Sequence, residues 1–382
     1  MVSDKPLRIL HCFRSPVGGI FRHVRDLAEE HAKAGHQVGI ICDSNTGGAY
    51  EDALFESIMP HLALGLTRLP MRRSLGISDI AIAVKTFREV KSLQPDVLHG
   101  HGAKGGAYVR LAGSQLRVSQ SRVARFYSPH GGSLHYDQKT LRGQAYFAIE
   151  RLLERWTDRL IFVSDYERRT YEEKIGKPRA EWRLIHNGLR AHEFEPVENV
   201  SDAVDFLYIG MMRDLKGPDV FIEAMRRAEQ LAGKPLRGVM VGDGEDKPRY
   251  QARLDALGMG DRVTMRDAMP AREAFALART VVVPSRAESM PYIVLEAVAA
   301  GKPVISTQVG GIPEILGPDF AGFVPPGDAE SLAGAMAKTI NNTDWLPSAM
   351  PEMDSFRSHF SALTMAERMS AVYQECQIGT VS

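Results

Sequence analysis

Glu288 and Glu296 are the residues from which chemistry can be read first. They lie in the stretch VVVPSRAESMPYIVLEAVAAGKPVISTQVGGIP, residues 281–313. Glu296 stands among Ile293, Val294, Leu295, Ala297, Val298, Ala299 and Ala300. A carboxylate in such company is costly unless it is hydrogen-bonded. Two carboxylates aimed into one crevice suit a polyol, whose hydroxyls donate to them. A second pair, Arg213 and Lys216, follows an apolar run in MMRDLKG. An arginine and a lysine after a strand and ahead of a helix form a cationic clamp for a diphosphate.

These residues need elements to hold them. Val281–Val283 reads as a buried strand. Ser289 is placed to cap the next helix, with Pro291 in its first turn. That helix runs from Tyr292 to about Ala300 and stops at Gly301, and residues 303–307 form a second strand. The unit is β-α-β, with parallel neighbouring strands. Ligands of open α/β sheets bind outside the carboxyl ends of the strands, which is where Glu288 falls.

The same alternation runs through the whole chain, so the expected fold class is α/β with two doubly wound parallel sheets. In the first half the strands are Leu7–Phe13, Gln37–Cys42, residues 95–99, Val123–Ser128, Arg159–Ser164 and Trp182–Ile185. Residues 43–75 are expected to hold only a short helix near Tyr50–Ile58 and a loop carrying Arg72 and Arg73. Gly18-Gly19 joins the first strand to its helix, where backbone N–H groups approach a phosphate. His99 and His101 end one strand; they are read as pointing to opposite sides, which argues against a shared metal. His130 ends another. The second half has strands at Phe206–Gly210, Leu236–Val241 with the turn Gly242-Asp243-Gly244, and residues 262–266. Domain boundaries are expected at 1–190, a polar linker at 191–204, 205–354, and a long terminal helix over 355–382.

At 382 residues the chain suggests two domains, each large enough for its own core. Formal net charge is zero, which argues against a nucleic-acid partner. Residues 101–150 nevertheless carry 7 basic against 2 acidic residues. With Arg110, Arg117, Arg122 and Arg125, this stretch suits an anionic membrane surface or a phosphorylated acceptor, or is an ordinary solvated face. Cys12, Cys42 and Cys376 are scattered, with neither metal nor disulfide spacing, so a reducing cytoplasmic setting is expected. No secretory leader is read at the N-terminus, and no run of about 18 apolar residues is present to span a membrane.

The run PSRAESMPYIVLEAVAAGKPVI, with Glu288-x7-Glu296 and the following VGGIPE, resembles the E-x7-E signature of retaining glycosyltransferases of the GT-B fold, family 4, of the kind that builds bacterial polysaccharides. Arg213 and Lys216 resemble that family's R-x-x-K-G element, Gly242-Asp243-Gly244 its GDG turn, and His186-Asn187-Gly188 its NG turn. The resemblance covers nearly the whole chain. It implies two Rossmann-like domains about a central cleft, with the terminal helix crossing back to the first domain. The donor, a UDP- or GDP-sugar, would be held by Gly18, Gly19, Arg213, Lys216, Gly242, Glu288, Ser289, Met290 and Glu296. The catalytic groups implied are His130, Glu288, Arg213 and Lys216, with no metal and no cofactor. Retention by front-face attack on the donor is implied. The acceptor would be a growing glycan or lipid-linked saccharide, with peripheral contact at the inner membrane. A small soluble acceptor, a sugar-nucleotide epimerase and a non-catalytic binding module are the alternatives. One departure is Ser289-Met290-Pro291, where many relatives have a glycine after the first glutamate; it leaves the donor's identity open.

Overall fold

The computed structural model describes residues 5–72, 76, 78–114, 117–118 and 121–378, without the side chains of 78, 117, 118, 121, 122, 377 and 378. The chain divides into two compact units. One runs to Gly188 and resumes at Ser361; the other is Leu189–Phe360.

The first unit contains strands β1 Arg8–Phe13, β2 Gln37–Asp43, β3 Gly65–Leu69, β4 Val97–His101, the short antiparallel pair β5 Arg117–Val118 and β6 Ser121–Arg122, then β7 Ala124–Ser128, β8 Arg159–Phe162 and β9 Glu181–Leu184. Seven of these form one sheet in the order β3-β2-β1-β4-β7-β8-β9, and every pairing in it is parallel. The second unit has β10 Val204–Ile209, β11 Gly238–Val241, β12 Val263–Arg266, β13 Ala278–Val283, β14 Val304–Thr307 and β15 Phe323–Val324. Its order is β12-β11-β10-β13-β14-β15, again all parallel. These are the two doubly wound sheets expected from the strand–helix alternation. Strand order reverses between β1 and β4 and between β10 and β13, the positions where such sheets open a crevice at their carboxyl ends.

Several expectations need correction. β3 takes the place of the expected loop: only Leu69 of GLTRL is buried, so this edge strand carries almost none of the apolar signal that marks a central one. Residues 191–204 do not stand apart as a linker. Val197 donates its N–H to Ala300 O at 3.0 Å and Val200 to Ala276 O at 3.0 Å, within the second unit. The terminal segment is two helices, Met353–Phe360 and Ala362–Ile378. Ser361 Oγ accepts from Thr364 N at 3.1 Å, a cap that restarts the helix. The second of these helices belongs to the first unit, where Met365, Met369, Val372 and Tyr373 pack with Ile9, Val97 and Phe126.

Two of the basic residues in 101–150 are internal, while Lys139 and Arg142 are exposed. Arg110 is buried, donates to Glu150 Oε2 at 2.8 Å and to Gly106 O at 2.9 Å, and lies 3.9 Å over the Tyr127 ring. Arg125 is buried and grips Asp158 with two donors at 3.0 and 3.1 Å. Lys104 pairs with Asp79 at 2.6 Å. The membrane argument therefore loses Arg110 and Arg125, because carboxylates 40 and 33 residues away neutralise them inside the fold. The side chains of Arg117 and Arg122, and all of Arg73, lie outside the described residues. Among the described residues no helix is long and apolar enough to cross a membrane.

His99 and His101 do not point to opposite sides. Side chains two apart on a strand share a face, and the two rings stack with centroids 4.0 Å apart. His11 on β1 faces them across the β1–β4 pairing. His11, His23, His31, His99 and His101 are all buried. Burial pushes His23 down to about 4 and His31 to about 3, and holds His11, His99 and His101 well below the usual imidazole value.

Two outcomes follow from these buried groups. An unfolded imidazole titrates near 6.5, so between that value and the depressed folded values the unfolded chain binds more protons. Stability is complete above pH 6.5 and falls as pH drops toward 4; His23 alone accounts for on the order of 3 kcal/mol. Urea unfolding followed at pH 7.5, 6 and 5 will show a declining midpoint for the first unit, and a flat profile would contradict the buried neutral cluster. Arg110→Ala strands the Glu150 carboxylate in the core and will cost about 3–5 kcal/mol, read as a fall in the same midpoint.

Candidate functional site

In the second unit, the loops leaving β10, β11, β13 and β14 are locked together by backbone contacts. Gly217 follows the Arg213–Lys216 turn with φ 70° and lies so close to β13's exit that a Cβ would stand 2.1 Å from Pro284 O. Gly310 has φ 61°, and a Cβ there would lie 1.7 Å from Glu288 O. Only glycine satisfies both conditions, a left-handed backbone and no room for a side chain. Arg286 N donates to Leu215 O at 2.8 Å and Gly311 N to Ser289 O at 2.9 Å. Arg286 also clamps Asp219 with bonds of 2.9 and 2.6 Å. Neither residue stands out in the sequence, and the pair stiffens the base of the site.

Onto this frame the predicted side chains fall as follows. Lys216 Nζ lies 2.6 Å from Glu288 Oε1, which also accepts from Ser285 Oγ at 2.7 Å. Glu288 is buried, so its negative charge is fixed in place by a cation and a hydroxyl. Ser285 is a further contributor; its only sequence signal is its place three residues before Glu288. Thr307 Oγ1 in turn donates to Ser285 O at 2.6 Å. Glu296 is half-buried on the helix Tyr292–Ala299. Arg213 is exposed, and its side chain makes no hydrogen bond or ion pair with the described residues. Gly242, with φ 147°, packs against Gly210 O, and Met212 N donates to Asp243 O at 2.9 Å.

One detail differs from expectation. The helix is preceded by Pro291, with φ −75° and ψ 121° and no side-chain cap. Ser289 is therefore not the cap, since the residue before a proline is held extended and pushes the start of the helix past it. The side chain of Met290 is buried.

In the first unit, Gly18 takes φ 75° and precedes the helix Gly19–Lys33 at the exit of β1. Gly18 and Gly19 are both exposed. His130 follows β7 with φ 50°, unusual for a residue with a side chain. Its turn is held by Glu167, whose Oε1 accepts from Gly131 N at 2.5 Å and whose Oε2 accepts from Val163 N at 3.1 Å. His130 Nε2 lies 3.0 Å from His101 Nδ1. The ring is half-buried, and loss of hydration lowers its pKa well below the usual imidazole value. A neutral imidazole held in a strained turn can exchange hydrogen bonds with hydroxyls at a fixed position.

The steric argument at Gly217 has an internal control. Gly233 shares φ 70° but has nothing within 4 Å of a Cβ. Gly233→Ala will cost only the left-handed backbone penalty, about 1–2 kcal/mol. Gly217→Ala adds a collision with Pro284 O and will destabilise the second unit by clearly more, measured by urea unfolding of both variants. Equal losses would remove the close approach as a constraint.

Residues 17–193 match the family described as Glycosyltransferase Family 4, and residues 203–342 the family described as Glycosyl transferases group 1. Among curated relatives, the putative glycosyltransferase EpsD of Bacillus subtilis is 25% identical over 80% of this chain and 83% of its own length. The putative colanic acid biosynthesis glycosyltransferase WcaL of Escherichia coli is 28% identical over 58% of this chain and 52% of its own. Among solved structures, Anabaena HepE in complex with UDP-glucose superposes with a TM-score of 0.78 at 17% identity, covering 97% of this chain and all of that one; at that identity the likeness speaks for the fold. Two parallel-sheet units, the glycine-locked loops at the carboxyl ends of β10 and β13, and family matches that together span most of the sequence make this chain a family 4 (group 1) glycosyltransferase of the GT-B fold.

Proposed function

We propose that the chain transfers a sugar, with retention of configuration, from a nucleoside diphosphate sugar to a hydroxyl of a growing glycan or lipid-linked saccharide in surface polysaccharide synthesis. The carrying observation is the Glu288 carboxylate fixed by Lys216 and Ser285 among loops that glycine alone allows to converge. The diphosphate is taken by Arg213 and Lys216, the donor's ribose by Glu296, and the sugar by Glu288. Ser289, Gly242, Gly18 and Gly19 supply backbone groups, and His130 contacts a sugar hydroxyl. Arg213 is suited to this role because its guanidinium is unspent on internal pairing.

The bond from the anomeric carbon to the phosphate oxygen breaks as the acceptor oxygen approaches from the same face. The acceptor's proton passes to the departing phosphate oxygen, and cations already in position stabilise the charge gained there. Lys216 then serves two anions in turn, Glu288 when the site is empty and the diphosphate when it is filled. The UDP-glucose bound to HepE and the colanic acid pathway in WcaL's name support this reading of donor and pathway.

The test is thermal stabilisation by UDP, GDP, ADP and their sugar conjugates, for wild type and Glu296→Ala. A ligand at a hundredfold excess over its Kd stabilises by about 2.7 kcal/mol. A shift selective for one base, lost in the variant, is the expected result. Lys216→Ala will in addition lower kcat about 10²–10³-fold with the preferred donor, the scale on which fixed charge stabilisation acts. If no nucleotide shifts the folded protein, the donor assignment fails and a binding role for a different ligand takes its place.

A further inference from the structure

The histidines behind His130 form a cluster that sugar transfer does not use. His23, His101 and His130 each offer one ring nitrogen, and these three atoms lie within 4.8 Å of one another. His23 is fully buried, and its Nδ1 lies 3.0 Å from Asn187 Oδ1. A carbonyl oxygen only accepts, so Nδ1 carries the proton and Nε2 is left with a bare lone pair. That Nε2 has no hydrogen-bond partner among the described residues. The His23 ring stands 4.8 Å from that of His130 and 5.5 Å from that of His101. His101 is braced on its far side, Nε2 lying 3.0 Å from His11 Nδ1.

An unspent imidazole lone pair, oriented through its other nitrogen by a carbonyl, is the arrangement by which proteins present histidine to a metal. We infer that His23, His101 and His130 form a binding site for a late first-row divalent cation of the zinc, cobalt or nickel class. Three imidazoles suit these ions, with a fourth position left open at the half-buried His130 side. Nitrogens around such an ion sit about 3.3 Å apart, given bonds of about 2.0–2.1 Å. His101 Nδ1 and His130 Nε2, now 3.0 Å apart, need to part slightly while His23 Nε2 draws closer. His130, on a turn rather than in a strand, is the ligand free to make that adjustment.

A second trio, His11, His99 and His101, has the same spacing but does not qualify. Both ring nitrogens of His99 are engaged, Nδ1 with Tyr373 OH at 2.6 Å and Nε2 with Ser128 Oγ at 2.8 Å. All three of its rings are fully buried, leaving an ion no entrance. In the first trio, an ion takes His130 Nε2 away from His101 and so competes with any use of His130 in turnover.

The site is tested on full-length, untagged, metal-free protein without any sugar donor, so its failure is separate from failure of the transferase reading. Titration with Co²⁺ is followed by visible absorption and with Zn²⁺ by calorimetry. One saturable equivalent is expected, with the intense visible bands of four- or five-coordinate cobalt. His23→Gln and His130→Gln should each abolish the bands. Asn187→Ala should weaken binding about 10–100-fold, and the exposed His359→Gln should leave it unchanged. A cooperative urea-unfolding transition certifies that a variant is folded. His130→Gln, on a surface turn, keeps the question decidable if His23→Gln does not fold. Absence of a saturable equivalent in wild type, or its persistence in folded His23→Gln or His130→Gln, overturns the assignment.

Discussion

In a sheet whose strands all run the same way, every strand-to-helix loop emerges at one edge, and the chemistry of the unit has to be assembled from those loops. In the second unit, assembly depends on how closely they approach. Gly217 against Pro284 O and Gly310 against Glu288 O are contacts in which any larger residue collides with backbone. They bring the turn carrying Lys216 to the loop carrying Glu288, and the 2.6 Å ion pair is the consequence. Arg286, clamped on Asp219, keeps these loops from relaxing apart. The site's charges are thus positioned by backbone sterics first and by electrostatics second.

Much of this was legible because the signals are local. Val281–Val283, Gly301 and the 303–307 run mark a β-α-β unit within about thirty residues, and Glu288 and Glu296 are conspicuous within it. The Arg213–Lys216 pair announces itself by position after a strand. What could not be read depended on distance or on weak amphipathy. β3 is an edge strand with one buried residue. The partners that remove Arg110 and Arg125 from the surface are 40 and 33 residues away. Ser285 looks like any loop serine until its hydroxyl is found on Glu288. The facing of His99 and His101 is a different case: two-residue periodicity already places them on one side of the strand.

The two units handle polar groups in opposite ways. Around Arg110, charge is buried and then neutralised: Glu150 accepts from Arg110, Tyr127 and Ser133 together, which satisfies its oxygens in a place where a single missing donor is costly. Behind β1 and β4, the polar groups are histidines, whose cost is met by giving up charge. Desolvation keeps them neutral, and they hydrogen-bond one another from His11 through His101 to His130. The second unit keeps the cations of its candidate site at the surface, with Arg213 exposed and Lys216 partly so.

That division matches what each half has to bind on the transferase reading. A diphosphate carries fixed negative charge and is met by cations that stay hydrated and available until it arrives. A sugar hydroxyl is neutral and asks only for well-placed donors and acceptors, which uncharged imidazoles provide without attracting a counter-ion. The same neutrality has a second consequence: an imidazole kept from protonation keeps a lone pair, and where hydrogen bonds do not use it, as at His23 Nε2, it is open to a soft cation. The arrangement that suits His130 to a hydroxyl is therefore also the one that exposes it to capture by a metal, and selectivity between the two rests on how tightly Asn187 and the His130 turn hold their rings apart.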